Sequence, residues 1–392
     1  MEVGPTQAGP VRTGPVRTGP VRTGPVRTEM TEGNSFRAMR TSPRGRRRPL
    51  ATVLVAALVM TLVATVPSLA LSLAMAPTSA AASASTPACA VVGASVPTCG
   101  RWWGEALDPV GESLLTAVRA AQASTRRRLD IVHTYHRWDD AFPTAEETTL
   151  ARRGHLLLIG WKPVTLSGSL VTWSSIAAGQ QDLVIEADAA RLAALRVPVF
   201  LSFSYEPEKL VGTAGTAAEF AAAYRHVHDV MVRAGATNVR WVWTVMGLDS
   251  AHWHQAYHQL WPGSGYVDWI AWDPYNWSSC RGEPSVSFSG MVGPFYRWVT
   301  SQHFGRLPLM LAEYGTTETA ADGTADAAWY SGESDALSAF PRLDALVYFN
   351  LPSPPASCDW LSTASPSSAQ AFASLARGPA FRSTASLDPT SS

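Results

Sequence analysis

Eight short apolar segments recur along the chain from about residue 100, and helical spacing of apolar residues follows most of them. The apolar segments are Trp102–Glu105, Leu129–Tyr135, His155–Trp161, Pro198–Phe203, Val239–Trp243, Val267–Trp272, Pro308–Ala312 and Leu343–Phe349. Eight strand-then-helix units in about 280 residues are what a (β/α)8 barrel requires. An open doubly wound sheet would usually carry a glycine-rich phosphate loop after its first strand, and Trp102-Trp-Gly-Glu105 is not such a loop. We therefore predict an α/β fold, a (β/α)8 TIM barrel.

Eight predicted helices accompany the strands of this barrel domain. They are Glu112–Ser124, Ala145–Arg153, Gln181–Leu195, Thr216–Ala234, His252–Leu260, Phe288–His303, Ala325–Phe340 and a closing helix over Ser362–Ala376. We place the barrel domain at residues 99–378 and expect residues 379–392 to be a disordered tail.

The N-terminal region has the composition of a targeting segment. Four Gly-Pro-Val-Arg-Thr copies over Gly9–Thr28 hold neither a helix nor a strand, so residues 1–48 are expected to be disordered. Arg44–Arg48 then precedes the apolar run Leu50–Val66. We interpret residues 49–76 as a signal peptide, or alternatively as a transmembrane helix that anchors the protein to the outer face of the cytoplasmic membrane. Residues 77–98 are rich in Ala, Ser and Thr and are predicted to be a linker in a secreted protein.

The charge distribution favours a neutral partner. The net charge of the whole chain is +0, but residues 85–392 carry 21 basic and 28 acidic side chains, a net charge of −7. Nucleic-acid binding needs basic clusters, which an acidic domain does not provide. We expect a polysaccharide substrate, no nucleic-acid partner, membrane contact only through residues 49–76 if they are retained, and a monomer.

The four cysteines, Cys89, Cys99, Cys280 and Cys358, form an even set in a chain with an export signal, which indicates disulfide bonds. Three pairings are possible. We favour Cys89–Cys99 as a local clip at the entrance of the domain, and Cys280–Cys358 as a link between two late loops. No metal site is predicted, because neither Cys-x-x-Cys nor His-rich spacing occurs.

Two carboxylates follow strands that would lie on different sides of the barrel. Glu206 comes after the fourth apolar segment and Glu313 after the seventh. Barrel enzymes carry their functional side chains at strand C-termini, and a pair of carboxylates can cleave a glycosidic bond by double displacement. Partial desolvation beside Tyr205 suits Glu206 to act as the acid, and Tyr275 is predicted to donate a hydrogen bond to Glu313. Glu208 is a less favoured acid.

The barrel segment resembles glycoside hydrolase family 26, the group that contains β-mannanases. The segments that carry the resemblance are Asp130–His136, Ile176–Asp182, Tyr224–His228, Gly235–Trp243, Trp261–Trp269 and Ala312–Gly315. The resemblance implies Glu206 as acid/base and Glu313 as nucleophile, with no metal or organic cofactor. It also has a departure: Tyr205 stands where the mannanase motif has His, and the Asn-Gly that often follows is absent, so the groups beside the bond differ.

These observations predict a retaining endo-acting glycoside hydrolase that cleaves β-glycosidic bonds, with β-1,4-mannan as the expected substrate. Aromatic side chains near strand ends are expected to bind sugar rings. They are Tyr275, Trp161, Tyr205, Trp243, Trp272 and Trp360. For Trp243, filling of the barrel core is the alternative. A non-catalytic glycan-binding barrel and a membrane-tethered hydrolase of the cell's own exopolysaccharide are the alternative functions.

Overall fold

A closed barrel of eight parallel strands forms the centre of the structure. The computed structural model describes residues 89–107, 111–317, 324–353 and 358–381. The barrel strands are β1 (Trp102–Ala106), β2 (Ile131–His136), β3 (Leu156–Trp161), β4 (Val199–Phe203), β5 (Val239–Val245), β6 (Trp269–Trp272), β7 (Leu309–Thr316) and β8 (Leu343–Phe349). Each strand pairs with the next, and β8 pairs with β1, where Ala345 lies opposite Trp102. The predicted (β/α)8 barrel is confirmed.

Helices follow the strands, and most of them begin at a serine or threonine whose side chain caps the first turn. They are α1 (Leu114–Thr125), α2 (Ala145–Arg152), α3 (Trp173–Ala177), α4 (Asp182–Leu195), α5 (Ala217–Arg233), α6 (Ala251–Leu260), α7 (Ser278–Arg281), α8 (Phe288–Ser301), α9 (Thr324–Ala336) and α10 (Pro366–Ala376). Thr144 and Thr216 each form a capping box with a glutamate three residues on, which satisfies backbone donors at the starts of α2 and α5. The short helices α3 and α7 were not predicted.

Strand alternation divides the apolar side chains into two cores. Side chains such as Leu158, Phe200 and Val242 point inward and fill the barrel. Their neighbours, such as Leu157 and Leu201, point outward and pack under the helices. Polar side chains lie at the C-terminal ends of the strands.

A β-hairpin covers the N-terminal end of the barrel. Val91–Val92 pairs with Val96–Pro97, and Cys89–Cys99 closes the hairpin, as predicted. The indole nitrogens of Trp102 and Trp269 donate hydrogen bonds to the carbonyls of Ser95 and Ala94, at 2.8 and 2.6 Å. The predicted linker over residues 77–98 is therefore too long, because its last ten residues pack against the barrel.

The other chain end also extends the domain. Phe381 packs against Trp103, with ring centroids 4.8 Å apart, so the domain runs past the predicted limit at residue 378. The remaining tail, residues 382–392, and the predicted N-terminal segments 1–48 and 49–76 lie outside the described residues. Among the described residues, no helix has the length and apolar character needed to cross a bilayer.

The second disulfide joins two loops at the C-terminal rim, the mouth of the barrel. Cys280 lies in α7, after β6, and Cys358 lies after β8, and they form the predicted bond with Cα atoms 4.8 Å apart. Two disulfides are typical of an extracellular protein.

Candidate active site

The Glu313 side chain is held by two phenols at the mouth of the barrel. Tyr135, at the end of β2, donates a hydrogen bond to Oε1 at 2.8 Å, and Tyr275 donates one to Oε2 at 2.6 Å. The Glu313 backbone N–H donates to Oδ1 of Asp273 at 3.0 Å. Two donors that contact the two carboxylate oxygens fix the orientation of the carboxylate. The predicted contact between Tyr275 and Glu313 is present.

An irregular strand pairing turns Glu313 into the cleft. Ala312 belongs to the inward-facing core of the barrel, so simple alternation would direct Glu313 outward. The pairing of β7 with β8 shifts register between Leu311 and Tyr314, and Tyr314 then packs in the outer core. Such irregularities re-aim side chains beside active sites.

Glu206 lies in a tight turn after β4. Ser204 and Glu206 both have positive φ angles, 48° and 51°, a conformation that is uncommon outside glycine. The Ser204 N–H donates to the Trp161 carbonyl at 2.8 Å, and the Glu206 N–H donates to the Thr244 carbonyl at 3.0 Å. These bonds tie the turn to β3 and β5 and hold Glu206 in a backbone conformation that would otherwise be costly.

Glu206 forms an ion pair with Lys209, whose Nζ lies 2.5 Å from Oε2. Burial raises the pKa of the Glu206 carboxyl, and the nearby Glu313 raises it further, whereas Lys209 and Lys162 oppose the shift. The pKa of Glu206 is raised on balance. The two glutamates therefore have different environments: two phenols contact Glu313, while a lysine contacts Glu206.

Asp273 is a third carboxyl group in the same cleft. It is buried, and within the described residues its Oδ2 has no hydrogen-bond partner. Burial raises its pKa well above the ordinary value, and Glu313 and Glu206 add to the effect. Asp273 thus lies beside Glu313, where its Oδ1 accepts the backbone hydrogen bond.

Gly160 packs tightly against Tyr135 and its neighbours. A Cβ at Gly160 would lie 3.1 to 3.2 Å from Tyr135, Tyr205 and His133. His133 is buried and contacts the Ala312 carbonyl through Nδ1 at 3.1 Å, and burial lowers its pKa to about 3. The neutral ring and Gly160 together hold Tyr135 against Glu313.

An aromatic cluster lines one side of the cleft, which has a volume of about 860 Å³. Tyr275, Trp277 and Trp360 contact one another, with ring centroids 4.6 to 5.4 Å apart. Arg281 lies over the Trp277 ring, 3.4 Å from its centroid. Trp360 also packs closely on Gly315, so the cluster is positioned directly beside the strand that carries Glu313. Flat aromatic faces of this kind suit sugar rings.

The predicted aromatic residues separate into two groups. Tyr275, Tyr205 and Trp360 line the cleft. Trp161, Trp243 and Trp272 do not, because each is fully buried in the outer core between the barrel and the helices. Trp161, for example, stacks on Trp138 with the ring planes 1° apart. Their predicted sugar contacts are wrong, since strand alternation points these residues away from the barrel mouth.

Glu208, the less favoured acid, accepts a hydrogen bond from the Met246 N–H at 2.8 Å and does not line the cleft.

Several residues that line the cleft were not predicted as site residues from the sequence. Tyr135, Lys162, Lys209 and Trp277 do line it. Tyr135 sits at a strand end, where it could have been found by alternation; Lys209 follows a turn whose shape the sequence does not reveal.

No metal site accompanies these groups in the described residues. Within 89–107, 111–317, 324–353 and 358–381, no three His, Cys, Asp or Glu side chains are close enough to hold a metal ion.

Known proteins resemble the chain in sequence over part of its length. No family model matches it. Endoglucanase H of Acetivibrio thermocellus is 26% identical over 272 residues, which is 66% of this chain. The chain spans only 28% of that relative's length.

Solved structures share the fold of the whole barrel. A modular endo-β-1,4-mannanase from Cellulomonas fimi matches with a TM-score of 0.55 at 14% identity, covering 72% of this chain and 71% of its own. A family 26 β-mannanase from Bacteroides ovatus has a TM-score of 0.53 at 14% identity and covers 72% and 90%. The catalytic domain of a family 26 endo-β-1,4-mannanase from Bacillus sp. JAMB-750 has a TM-score of 0.53 at 15% identity and covers 74% and 88%. These matches confirm, at the level of the fold, the resemblance to glycoside hydrolase family 26.

Proposed function

We propose that the chain is a retaining, endo-acting glycoside hydrolase that cleaves β-glycosidic bonds in a polysaccharide. Glu313 acts as the nucleophile and Glu206 as the acid/base. The observation that carries the proposal is the pair of phenols on Glu313, in the same cleft as a second glutamate whose pKa is raised. An ionised, oriented carboxylate is what attack on an anomeric carbon needs, and a carboxyl with a raised pKa is what protonation of the leaving oxygen needs.

The reaction follows from these two environments. Glu206 donates its proton to the glycosidic oxygen while Glu313 attacks the anomeric carbon, which forms a glycosyl ester and releases the leaving sugar chain. Glu206, now ionised, removes a proton from water, and the water oxygen displaces Glu313 with retention of configuration. This chemistry needs no metal or organic cofactor.

We propose β-1,4-mannan as the first neutral substrate to try, since the matched structures are described as mannanases. Endoglucanase H supports a β-glucan as the second. An open cleft with an aromatic wall fits an internal segment of a chain and therefore supports endo-acting cleavage.

Chemical rescue tests the two roles separately. Glu313→Ala and Glu206→Ala should each lose activity on polysaccharide by at least about 10³-fold, the order expected when a member of a catalytic pair is removed. Azide should restore turnover of an activated aryl glycoside in both variants, with an inverted glycosyl azide from Glu313→Ala and a retained one from Glu206→Ala, each identified by NMR. Glu208→Gln is the matched control and should keep most of the activity. Full activity in Glu313→Ala would refute the proposal.

We also propose that the protein is exported and that residues 49–76 are removed, with an outer-face membrane anchor as the alternative. The two disulfides support an extracellular location. N-terminal sequencing of protein from the culture medium should give a start near Ala76. Full-length protein found only in washed membranes would favour the anchor instead.

A further inference from the structure

Both lysines of the chain line the candidate active site. The chain has 31 basic residues, and all except Lys162 and Lys209 are arginines. The two lysines approach the Glu206 carboxyl from different elements, the end of β3 and the turn after Glu206. Arg281 and the carboxylates of Glu206, Asp273, Glu283 and Glu313 line the same cleft, so the two ammonium groups lie among groups of both signs.

Lys162 has no carboxylate partner among the described residues. Its Nζ lies over the Tyr205 ring, 4.1 Å from the centroid, and the side chain is partly buried in the cleft wall. A cation that is withdrawn from water in this way is costly unless an anion contacts it. Burial accordingly lowers the pKa of the Lys162 ammonium, although Glu206 and Glu313 act in the opposite direction. The group is therefore positioned to gain from an anion that enters the cleft.

Lys209 opposes the role proposed for Glu206. The ion pair at 2.5 Å stabilises ionised Glu206, whereas the first step of hydrolysis needs it protonated. Lys209 is half exposed, with 51% of its side-chain surface accessible, so it can turn toward another anion. An anion that attracts Lys209 would release Glu206, and the carboxyl could then take up a proton.

We infer that the cleft selects a polysaccharide that carries carboxylate groups next to the scissile bond, and that Lys162 and Lys209 are the specificity-determining residues. This inference rests on the proposed hydrolase function and specifies its substrate class. A uronic acid supplies such a carboxylate on the sugar ring itself. Lys162 pairs with this carboxylate, and Lys209 leaves Glu206 to pair with it as well. The Glu206 carboxyl is then protonated more readily than in the free protein.

Oligosaccharides with and without the charge provide the test. The probes are β-1,4-linked hexasaccharides of mannuronate and of glucuronate, together with their carboxyl-reduced products, which are β-1,4-manno- and β-1,4-glucohexaose. Each pair shares its linkage and backbone. The wild-type protein should cleave at least one uronate at a kcat/KM about 10-fold or more above that of its reduced counterpart. Equal or faster cleavage of the reduced sugars would overturn the inference while leaving the hydrolase function intact.

Charge-removing variants assign the preference to residues. Lys162→Met keeps the apolar stem over Tyr205 and should lower kcat/KM for the uronate by about 10- to 100-fold, the range for a lost charged hydrogen bond, mainly through KM. Its kcat/KM for the reduced sugar should fall by a smaller factor, because that sugar offers no carboxylate to the ammonium group. Lys162→Arg should restore part of the preference. Arg119→Met is the control, because it removes a positive charge from an exposed site on α1. Its kcat/KM should equal that of the wild-type protein on both substrates. An equal loss on both substrates in Lys162→Met would contradict the inference.

Lys209→Met gives a signature that a structural role would not produce. Charged and titratable groups near Glu206 are Glu313, Lys209, Lys162, Asp273 and Glu208. Without Lys209 the pKa of Glu206 should rise, so the alkaline limb of the pH–kcat profile, which reports the enzyme–substrate complex, should move to higher pH on the reduced sugar. On the uronate the limb should move less, because the substrate already displaces Lys209. An unmoved limb on both substrates would refute the exchange.

Failure of the hydrolase function itself has a different outcome. In that case no probe is cleaved. Binding of the uronate and of the reduced sugar to Glu313→Ala, measured by calorimetry, still reports whether the cleft selects charge. Uronate binding that weakens about 10-fold or more in Glu313→Ala/Lys162→Met would support the lysine site in a non-catalytic barrel. Equal binding of uronate and reduced sugar would overturn both proposals.

Discussion

At the scale of single residues, the site depends on which groups contact each glutamate. Glu313 and Glu206 are the same residue type, and both lie near the end of a barrel strand. Two phenols contact Glu313, whereas an ammonium group and a buried turn surround Glu206. The proposed nucleophile and acid differ because of these neighbours and not because of their own chemistry.

Removing one phenol should weaken the nucleophile. Tyr275→Phe keeps the ring in its cluster with Trp277 and Trp360 but deletes the hydrogen bond to Glu313. A hydrogen bond to a charged group is worth about 1.5–3 kcal/mol, so kcat should fall about 10- to 100-fold. Steady-state kinetics on the best substrate measure the loss, with Tyr330→Phe, in a buried phenol pair with Tyr348, as the control. An unchanged kcat would show that Tyr135 alone orients the carboxylate.

A methyl group at residue 160 should disturb the hydrogen bond between Tyr135 and Glu313. In Gly160→Ala the added Cβ would meet Tyr135, Tyr205 and His133 at 3.1 to 3.2 Å, closer than ordinary van der Waals contact. Because overpacking typically costs about 1–3 kcal/mol, thermal stability should fall modestly, and kcat should fall because Tyr135 moves from Glu313. Gly332→Ala, on an open face of α9, is the matched control. A stable and fully active Gly160→Ala would contradict the tight packing.

At the scale of elements, a buried polar group joins β2 to α2. His136 contacts Glu147 through Nε2 at 2.8 Å and Asp140 through Nδ1 at 2.9 Å. Glu147 also accepts a hydrogen bond from the Thr144 N–H at the start of α2. Burial alone would lower the pKa of His136, but Glu147 and Asp140 outweigh it and the pKa is raised. Burial would likewise raise the pKa of Glu147, but His136 outweighs it and the pKa is lowered.

His136→Gln should therefore destabilise the protein in a pH-dependent way. The contribution of His136 is present below about pH 6.5, its unfolded pKa, and is lost as pH rises through the raised folded value. The contribution of Glu147 is present above about pH 4.3 and is lost as pH falls through its lowered folded pKa. The loss of stability should be largest near pH 5–6, at about 3 kcal/mol, which is the lower end for breaking a buried pair.

Urea unfolding at several pH values measures this difference. His226→Gln, which removes a half-exposed histidine–carboxylate pair with Asp182, should cost less than about 1 kcal/mol at every pH. A pH-independent loss in His136→Gln would mean that packing and not charge accounts for the effect.

At the scale of the whole molecule, the late disulfide fastens the rim on which the aromatic cluster sits. Cys280 and Cys358 are 78 residues apart in sequence, and Cys358 lies two residues before Trp360. Replacing both by Ser should lower the free energy of unfolding by about 4.5 kcal/mol, the loss of chain entropy expected for a loop of this length. KM should also rise, because the loop that carries Trp360 is no longer cross-linked to α7.

The other disulfide provides the comparison. Cys89 and Cys99 are ten residues apart, so their replacement should cost about 3 kcal/mol and leave KM unchanged, since the hairpin lies at the opposite end of the barrel. Thermal unfolding monitored by circular dichroism, together with kinetics, measures both. An equal rise of KM in the two double variants would argue against a specific role of the rim.

The sequence alone determined the barrel, its eight strands and the positions of the two glutamates near strand ends, because a strand's apolar period and a helix's caps are local properties. Of the three possible pairings of the four cysteines, the sequence favoured the one that the structure contains. Only the tertiary structure decided where the side chains point. Alternation would direct Glu313 outward, and the register shift in β7 turns it inward. Trp161, Trp243 and Trp272 alternate away from the barrel interior, and only the folded structure shows that helices bury them there. Lys162 and Lys209 come near Glu206 from separate elements, which no local pattern encodes.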